Sequence, residues 1–296
     1  MTSRSPLGPR RYNAEMSSEP APLGPIHALG AIVETDAWLI DLLENLAPDE
    51  WDRPTIVAGW HVRHIAGHLL DTALRRLSVV RDGVAVEGPA SGAPDDVRAF
   101  VDRVNAEGVK VYGRLSPAVL VAHMRVAVDA LHAHLRQLDP MAPAAFAVSW
   151  AGETTSPNWF DVARELTERW HHQQQIRLAL DRPGIMTPAL YRPVLDCFMR
   201  VLPHAYRDTA APPGAVVEMR VDGEAGGAWQ LIHAVDRWVL TADAVAAPTV
   251  RLTVPDAVAW RLFTKGISAD EAARAVTVEG DAPLAAPALR AVAIVG

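Results

Sequence analysis

The sequence is poor in cysteine, in long apolar runs and in excess positive charge. Cys197 is the single cysteine among 296 residues, so no intrachain disulfide is expected and a reducing cytoplasm fits. The apolar runs are too short and interrupted to span a bilayer, and the N-terminus lacks the apolar core of a signal peptide. Lys and Arg number 28 against 35 Asp and Glu, a net charge of −7. Nucleic acid and membrane partners are therefore not expected.

What the chain does have is apolar surface, since half of its residues are hydrophobic. Its length suggests two domains. Residues 1–24 are rich in Pro, Ser and Gly, and we expect them to be a disordered tail. We expect a helical bundle over residues 25–184 and a small α/β domain with a mostly antiparallel sheet over residues 185–296. The predicted fold class is therefore α+β.

Apolar residues recur at helical spacing in several segments of the first domain. Residues 26–46 and 61–81 are the first two predicted helices, and residues 95–138 are predicted to be two helices broken at Leu115-Ser116-Pro117. A last bundle helix spans Asn158–Leu180, between a start signal at Ser156-Pro157 and a stop at residues 181–184. The predicted core of the second to fourth helices includes Leu74, Val97, Phe100, Val101, Val104, Val111, Tyr112 and Val119.

The pattern changes after Pro183. Residues 188–206 predict one further helix, after which apolar residues alternate with polar ones as in strands. Strands are predicted at 217–221, 229–232, 238–240 and 249–254, short helices at 256–264 and 268–274, and closing elements at 276–278 and 292–294.

Two residues of the last bundle helix carry the first sign of chemistry. Glu168 and His172 are four residues apart, so on a helix they share one face and can bind one metal ion. Such a pair is also common by chance on a surface or in a core. Inside a bundle, however, a carboxylate and an imidazole need partners, and a metal ion is one such partner. A catalytic zinc site usually has three protein ligands and one open position.

The second predicted helix contains three histidines on one stripe, His61, His64 and His68. His68 lies two turns into the helix and is the best placed to meet a neighbouring helix at depth. His61 and His64 lie near the helix start, where they are expected to be exposed, to support a ligand or to contact substrate. A fourth ligand from His64 would close the site and favour a structural metal.

Several motifs together resemble one family. GWHVRHIAGHL at 59–69, ERWHH at 168–172, WRLFTKG at 260–266 and EGD at 279–281 are similar to the mycothiol-dependent maleylpyruvate isomerase-like proteins. The resemblance covers about residues 26 to 296. It implies a DinB-like four-helix bundle that binds metal, followed by a sterol-carrier-protein-like domain. It also implies the metal ligands His68, Glu168 and His172, where His172 is preferred to His171 because it keeps the four-residue spacing from Glu168.

The resemblance implies an enzyme that uses a divalent metal, with zinc expected and nickel or iron also compatible. Mycothiol is the implied co-substrate, a small electrophile the substrate, and thiol S-transfer or isomerisation the reaction. Candidate catalytic residues are His64, His61 and Arg164. Arg261 and Lys265 are candidates for binding a carboxylate in an interdomain cleft. The alternatives are a non-catalytic protein that binds metal or a small ligand, and a metal-dependent hydrolase; the chain is expected to be a monomer or homodimer.

Overall fold

The computed structural model describes residues 21–294. Most of the predicted tail, residues 1–20, lies outside this range. Residues 21–24 form no helix or strand, and the backbone N–H of Leu23 donates to the carbonyl oxygen of Leu240 at 3.3 Å. Within the described range, no helix has both the length and the apolar character that crossing a membrane requires.

Helices dominate the chain up to residue 206. α1, α2, α4 and α5 pack on one another as a four-helix bundle, while α3 packs on the outside of α2 and α6 packs against α5 and α1. α2 continues into one π-helical turn, Leu77–Arg81, and the predicted break before Pro117 is confirmed. The helices are α1 Leu29–Glu44, α2 Val62–Arg76, α3 Pro94–Tyr112, α4 Pro117–Leu135, α5 Asn158–Leu180, α6 Pro188–Met199 and α7 Leu202–Tyr206.

The long helix α5 holds the bundle together. It contains neither Pro nor Gly, begins after the extended Pro157, and ends where Asp181 adopts a left-handed conformation with φ of 52°. Trp170, fully buried on α5, stacks on Tyr191 of α6 with ring centroids 4.5 Å apart. Its buried apolar residues include Phe160, Leu166, Trp170 and Ile176.

Part of the predicted core is exposed. Val111 is 52% exposed, Val119 43% and Leu74 37%, so these three predictions are wrong. Val104 is buried, while Val97, Phe100, Val101 and Tyr112 are only partly covered. The reason is that α3 lies outside the bundle and has a single main neighbour, so only one narrow stripe of it is covered.

The predicted single helix over 188–206 is two helices in the structure. α6 ends at Met199 and the short α7 begins at Leu202. Pro203 lies in the first turn of α7, where its missing N–H is tolerated, but it cannot continue a preceding helix. The remaining elements are β1 Val216–Val221, β2 Gly227–His233, β3 Trp238–Thr241, β4 Val250–Val254, α8 Asp256–Phe263, α9 Ala269–Ala275, β5 Thr277–Gly280 and α10 Ala282–Leu289.

The five strands form one sheet in the order β3-β2-β1-β4-β5. Every neighbouring pair is antiparallel except β1 and β4, which are parallel. The predicted mostly antiparallel sheet is therefore confirmed. Of the two predicted closing elements, residues 276–278 overlap β5, whereas residues 292–294 follow α10 and form neither helix nor strand. α10 has no alternating pattern to announce it, but Asp281 caps it by accepting from the backbone N–H of Leu284 at 3.4 Å.

The helical and sheet-containing parts share contacts. The hydroxyl of Tyr191 in α6 donates to the carbonyl oxygen of Asp256 at 2.8 Å. The loop before α2 also reaches the turn after α8, since a Cβ added to Gly266 would lie 3.3 Å from Cδ1 of Ile56. This loop leads to Trp60, beside the residues described next.

Candidate metal centre

The structure brings together His68 of α2 with Glu168 and His172 of α5. Oε1 of Glu168 lies 2.9 Å from Nε2 of His68 and 3.3 Å from Nε2 of His172. The ligand atoms of all three residues lie within 4.8 Å of one another. The two imidazole rings meet edge to face, with centroids 4.6 Å apart. Three side chains separated by up to 104 positions in the chain thus converge on one point, where they can bind a metal.

Burial of these side chains is uneven. The side chain of His68 is 2% exposed, that of His172 12% and that of Glu168 26%. The imidazoles are therefore fixed in the bundle interior, whereas the carboxylate borders solvent. The centre opens on the Glu168 side, which is where a further ligand can approach.

The hydrogen bonding of His172 fits a metal. Its Nδ1 lies 2.8 Å from Oε1 of Gln175, and an amide oxygen only accepts, so His172 carries a proton on Nδ1. Nε2 of the same ring faces a carboxylate oxygen of Glu168. At 3.3 Å, this nitrogen and oxygen attract each other only when a proton or a metal cation lies near both. Two imidazole nitrogens and one carboxylate oxygen are a donor set that a divalent transition metal accepts.

Electrostatics favour the protonation states that metal binding needs. Burial acts to raise the pKa of Glu168, but the adjacent His172 and hydrogen bonds from both imidazoles outweigh it and hold this pKa well below its usual range. Burial, followed by the charge of His172, lowers the pKa of His68. At neutral pH, Glu168 is therefore a carboxylate and His68 a neutral imidazole, as ligands must be.

The neighbouring His171 points elsewhere. Its Nδ1 lies 2.7 Å from the carbonyl oxygen of Thr167, and the side chain is buried. Burial, with a smaller contribution from His172, lowers the pKa of His171 to about 3. His171 is thus a neutral ring packed against His172, with centroids 4.0 Å apart, while His172 faces His68 and Glu168.

Trp60 forms a wall of the centre that the sequence did not single out. Its ring meets His68 edge to face at 5.3 Å and lies nearly parallel to His172 at 6.4 Å. The loop is fixed by its own backbone, because the N–H of Thr55 donates to the carbonyl oxygen of Trp60 at 2.9 Å. The available signal was the position of Trp60 within GWHVRHIAGHL, next to the stripe of histidines.

His61 and His64 are engaged at the start of α2. The backbone N–H of His61 donates to Nδ1 of His64 at 3.1 Å, and the two rings stack at 5.2 Å. His64 therefore helps to cap the helix. Within residues 21–294, the group of potential metal ligands consists of His68, Glu168 and His172 and does not include His64.

Arg164 lies one helical turn before Glu168. Its guanidinium donates to Asp161 at 2.7 Å and its side chain is 27% exposed. It is thus the cation on α5 that borders the same exposed side as Glu168. Its predicted catalytic role is untested.

Arg261 and Lys265 lie at the end of α8 and in the turn after it. Nε of Arg261 donates to the carbonyl oxygen of Gly266 at 2.8 Å, which fixes the turn. Lys265 is exposed and has φ of 57°. This turn faces the Trp60 loop through Ile56, so it borders the loop side of the centre. Binding of a carboxylate by these two residues stays a prediction.

A second polar cluster on α5 was missed entirely. Asp36 of α1 accepts from Nε of Arg169 at 2.5 Å and pairs with Nε2 of His132 at 2.7 Å. Arg76 of α2 pairs with Asp161 at 2.6 Å, and all of these side chains are buried. The available signal was a stripe of polar residues at four-residue spacing, namely Asp161, Glu165, Arg169, Gln173 and Arg177.

Comparison with known proteins agrees with this architecture. Residues 34–177 match the family described as the mycothiol maleylpyruvate isomerase N-terminal domain. An uncharacterised protein found in two strains of Mycobacterium tuberculosis is 29% identical over 191 residues, which cover 64% of this chain and 70% of that protein.

One solved structure shares the fold over most of the chain. The crystal structure of a mutant of the mycothiol-dependent maleylpyruvate isomerase matches 88% of this chain and 95% of its own, with a TM-score of 0.51 and 15% identity. At that identity the match shows a shared fold alone. Sterol carrier protein domain 2 of Helicoverpa armigera aligns to 36% of this chain and 86% of its own, at 15% identity. Its TM-score of 0.26 is too low to support an argument about ligand or function.

Proposed function

We propose that this protein is a metal-dependent thiol S-transferase or isomerase, and the match of residues 34–177 to the mycothiol maleylpyruvate isomerase N-terminal domain supports this. One observation carries the proposal. One ligand atom each from His68, Glu168 and His172 lies within 4.8 Å of the other two, and the side chain of Glu168 is 26% exposed. Three protein ligands with an open side are typical of catalytic zinc sites, whereas structural sites are closed by four.

We propose zinc as the metal and mycothiol as the thiol. A divalent cation supplies positive charge that lowers the pKa of a bound water or thiol. The protein's own residues prepare that position. His68 and His172 direct nitrogen lone pairs into it, and Gln175 fixes which nitrogen of His172 does so.

The surroundings suit a small anionic electrophile. Trp60 lies against both imidazoles and keeps water from one side of the centre. Arg164, one turn from Glu168 on the exposed side, provides positive charge for a substrate carboxylate. His61, His64, Arg261 and Lys265 are the remaining candidates for substrate contacts.

Metal analysis of four purified variants tests the ligand set. His68→Ala, Glu168→Gln and His172→Ala are each expected to lose the bound metal that the wild-type protein retains through gel filtration. His171→Ala is the matched control, since its ring faces Thr167, and it should retain metal. Unchanged metal in His172→Ala would show that the ligand set is wrong.

An activity assay tests the chemistry. Wild-type protein loaded with zinc is incubated with maleylpyruvate and mycothiol, and both isomerisation and loss of free thiol are recorded. Turnover that requires thiol supports the proposal, and the ratio of the two signals separates isomerase from transferase. Hydrolysis of ester substrates without thiol would indicate a metal-dependent hydrolase instead. Retained metal without turnover of any substrate would indicate a binding protein.

A further inference from the structure

A cavity of about 460 Å³ lies at the other end of α5, away from the metal centre. Trp159, in its wall, is nine residues before Glu168, which places it on the opposite side of the helix and roughly 14 Å along its axis. Cavities of this size hold small organic ligands. The side chains that matter for its chemistry are Glu153, Trp159, Phe160, Arg200, Arg237 and Trp238.

Arg200 is the central cation of this cavity. Its guanidinium lies over the ring of Trp159, 4.7 Å from the centroid, and 5.7 Å from the centroid of Phe160. Its terminal nitrogens donate to the backbone carbonyl oxygens of Leu23 and Gly24, at 3.4 and 2.5 Å. Within the described chain, its buried Nε has no hydrogen-bond partner.

Among the described residues no carboxylate pairs directly with Arg200, and the charges of Asp196 and Glu153 act on it from a greater distance. Backbone carbonyls are dipoles without net charge, and aromatic faces offer only a weak attraction. Burial, the largest influence, lowers the pKa of Arg200, which shows that the guanidinium has lost part of its hydration. A partly dehydrated cation at a cavity wall is stabilised by an anion.

The remaining lining favours an anion with a flat apolar body. Arg237 adds a second cation, while Glu153 is the single carboxylate in the wall and accepts a hydrogen bond from Ser156 at 2.5 Å. The wall therefore contains two arginines and one carboxylate. Trp159, Phe160 and Trp238 supply ring surfaces from two different parts of the chain.

We propose that this cavity is a binding site for a small aromatic or conjugated monocarboxylate, with the carboxylate at Arg200 and the flat body against the tryptophans. The site is separate from the metal centre and does not depend on the proposed enzymatic function.

Calorimetric titration of the full-length protein with two probes tests the proposal. 2-Naphthoate is the charged probe and 2-naphthalenemethanol is its neutral counterpart. We expect the acid to bind at least 10-fold more tightly than the alcohol. Arg200→Gln should weaken acid binding by roughly 10-fold or more, the range for a lost charge-assisted hydrogen bond, and leave alcohol binding unchanged. Arg207→Gln, at an exposed arginine, is the control and should change neither.

Further variants test where on the protein the acid binds. Trp159→Leu should weaken both probes, and Glu153→Gln should strengthen acid binding because it removes the opposing charge. Glu168→Gln should bind the acid as the wild type does. Equal affinity for acid and alcohol, undetectable acid binding, or acid binding lost in Glu168→Gln would each overturn the proposal. If Arg200→Gln fails to fold, as judged by circular dichroism, two other measurements test the proposal. These are the ratio of acid to alcohol affinity in the wild type and the expected rise in acid affinity in Glu153→Gln.

Discussion

Two polar stripes run side by side along α5, and they differ in how their charges are balanced. On one stripe the carboxylates meet arginines, as in the buried pairs Asp36–Arg169 and Asp161–Arg76. On the other, Glu168 meets two imidazoles, and the cluster borders solvent. The charges of the first stripe pair with one another in the bundle interior, whereas those of the second meet in a cluster that borders solvent.

The contrast shows how a buried polar group can be assigned to structure or to chemistry. A carboxylate with an arginine partner needs nothing further, and removing the arginine leaves a buried charge. Acceptors without a cation among them are stable together only when something positive joins them. The stripe of α5 with Asp161, Glu165 and Arg169, here called the arginine stripe, therefore stabilises the bundle. The stripe of α5 with Glu168 and His172, here called the histidine stripe, is suited to bind a metal.

The largest expected effect comes from breaking the arginine stripe. Arg169→Met leaves the carboxylate of Asp36 buried with only His132 as a partner, so the free energy of unfolding should fall by about 3–5 kcal/mol. Urea unfolding in the presence of a chelator measures it. Glu168→Gln, one residue away, is the comparison and should cost about 1 kcal/mol or less, since surface-bordering substitutions are mild. A larger loss in Glu168→Gln than in Arg169→Met would reverse the assignment of the two stripes.

The same Glu→Gln substitution should lower zinc affinity on the histidine stripe and leave it nearly unchanged on the arginine stripe. Glu168→Gln removes a ligand oxygen and should lower zinc affinity by more than roughly 100-fold, beyond the range for residues outside the ligand set. Glu165→Gln, on the arginine stripe, should keep zinc affinity within a few-fold of wild type. Competition with a fluorescent zinc chelator measures both. Comparable losses in the two variants would contradict the assignment.

A third prediction tests whether Gln175 orients His172 for metal binding. Gln175→Leu removes the acceptor that holds His172 in its orientation, so zinc affinity should fall roughly 10–100-fold. Gln174→Leu, on a different face of α5, is the control and should bind zinc as the wild type does. The same chelator competition applies, and equal affinities for all three proteins would mean that Gln175 does not orient the ligand.

The smallest expected effect is a pH dependence of the metal-free protein. The folded-state pKa of His171 is about 3, against an ordinary value of 6.5, so the unfolded chain binds a proton there that the folded chain does not. Stability is therefore lost as the pH falls below 6.5, by up to about 1.4 kcal/mol per pH unit. Between pH 6.5 and 5 the wild type should lose up to about 2 kcal/mol more than His171→Leu.

Urea titrations at the two pH values, with metal chelated, measure this difference. His123→Leu, at an exposed histidine of α4, should keep the wild-type dependence. If the free energy of unfolding depends on pH equally in wild type and in His171→Leu, the buried ring of His171 takes up a proton on acidification and the prediction is wrong.

The sequence predicted the elements that have strong periodicity. Four-residue spacing placed Glu168 and His172 on one face, and β-alternation predicted four of the five strands to within a few residues. The stripe of histidines on the second predicted helix singled out His68, and the resemblance assigned it as a ligand. What joins these residues in space is the packing of α2 on α5, which periodicity alone does not specify.

The misses also have physical causes. Asp36 and Arg169 are 133 positions apart, so their pairing depends on how α1 packs on α5. Val111 has the right spacing for a core position, but α3 lies outside the bundle and exposes it. α10 begins at the cap Asp281 with Pro in its first turn, and its buried face of Leu284, Ala285 and Ala288 is too short to show a helical period in the sequence. Trp60 is positioned by loop backbone bonds, for which composition gives no rule.

The contact between Ile56 and Gly266 has a consequence for biosynthesis. The three ligand residues have all left the ribosome once the nascent chain is somewhat longer than 172 residues, whereas the turn that packs against the Trp60 loop is made almost a hundred residues later. A bundle that binds a metal as proposed can therefore do so while the loop is still uncovered. The turn at Gly266 is made later and then packs against the loop that leads to Trp60.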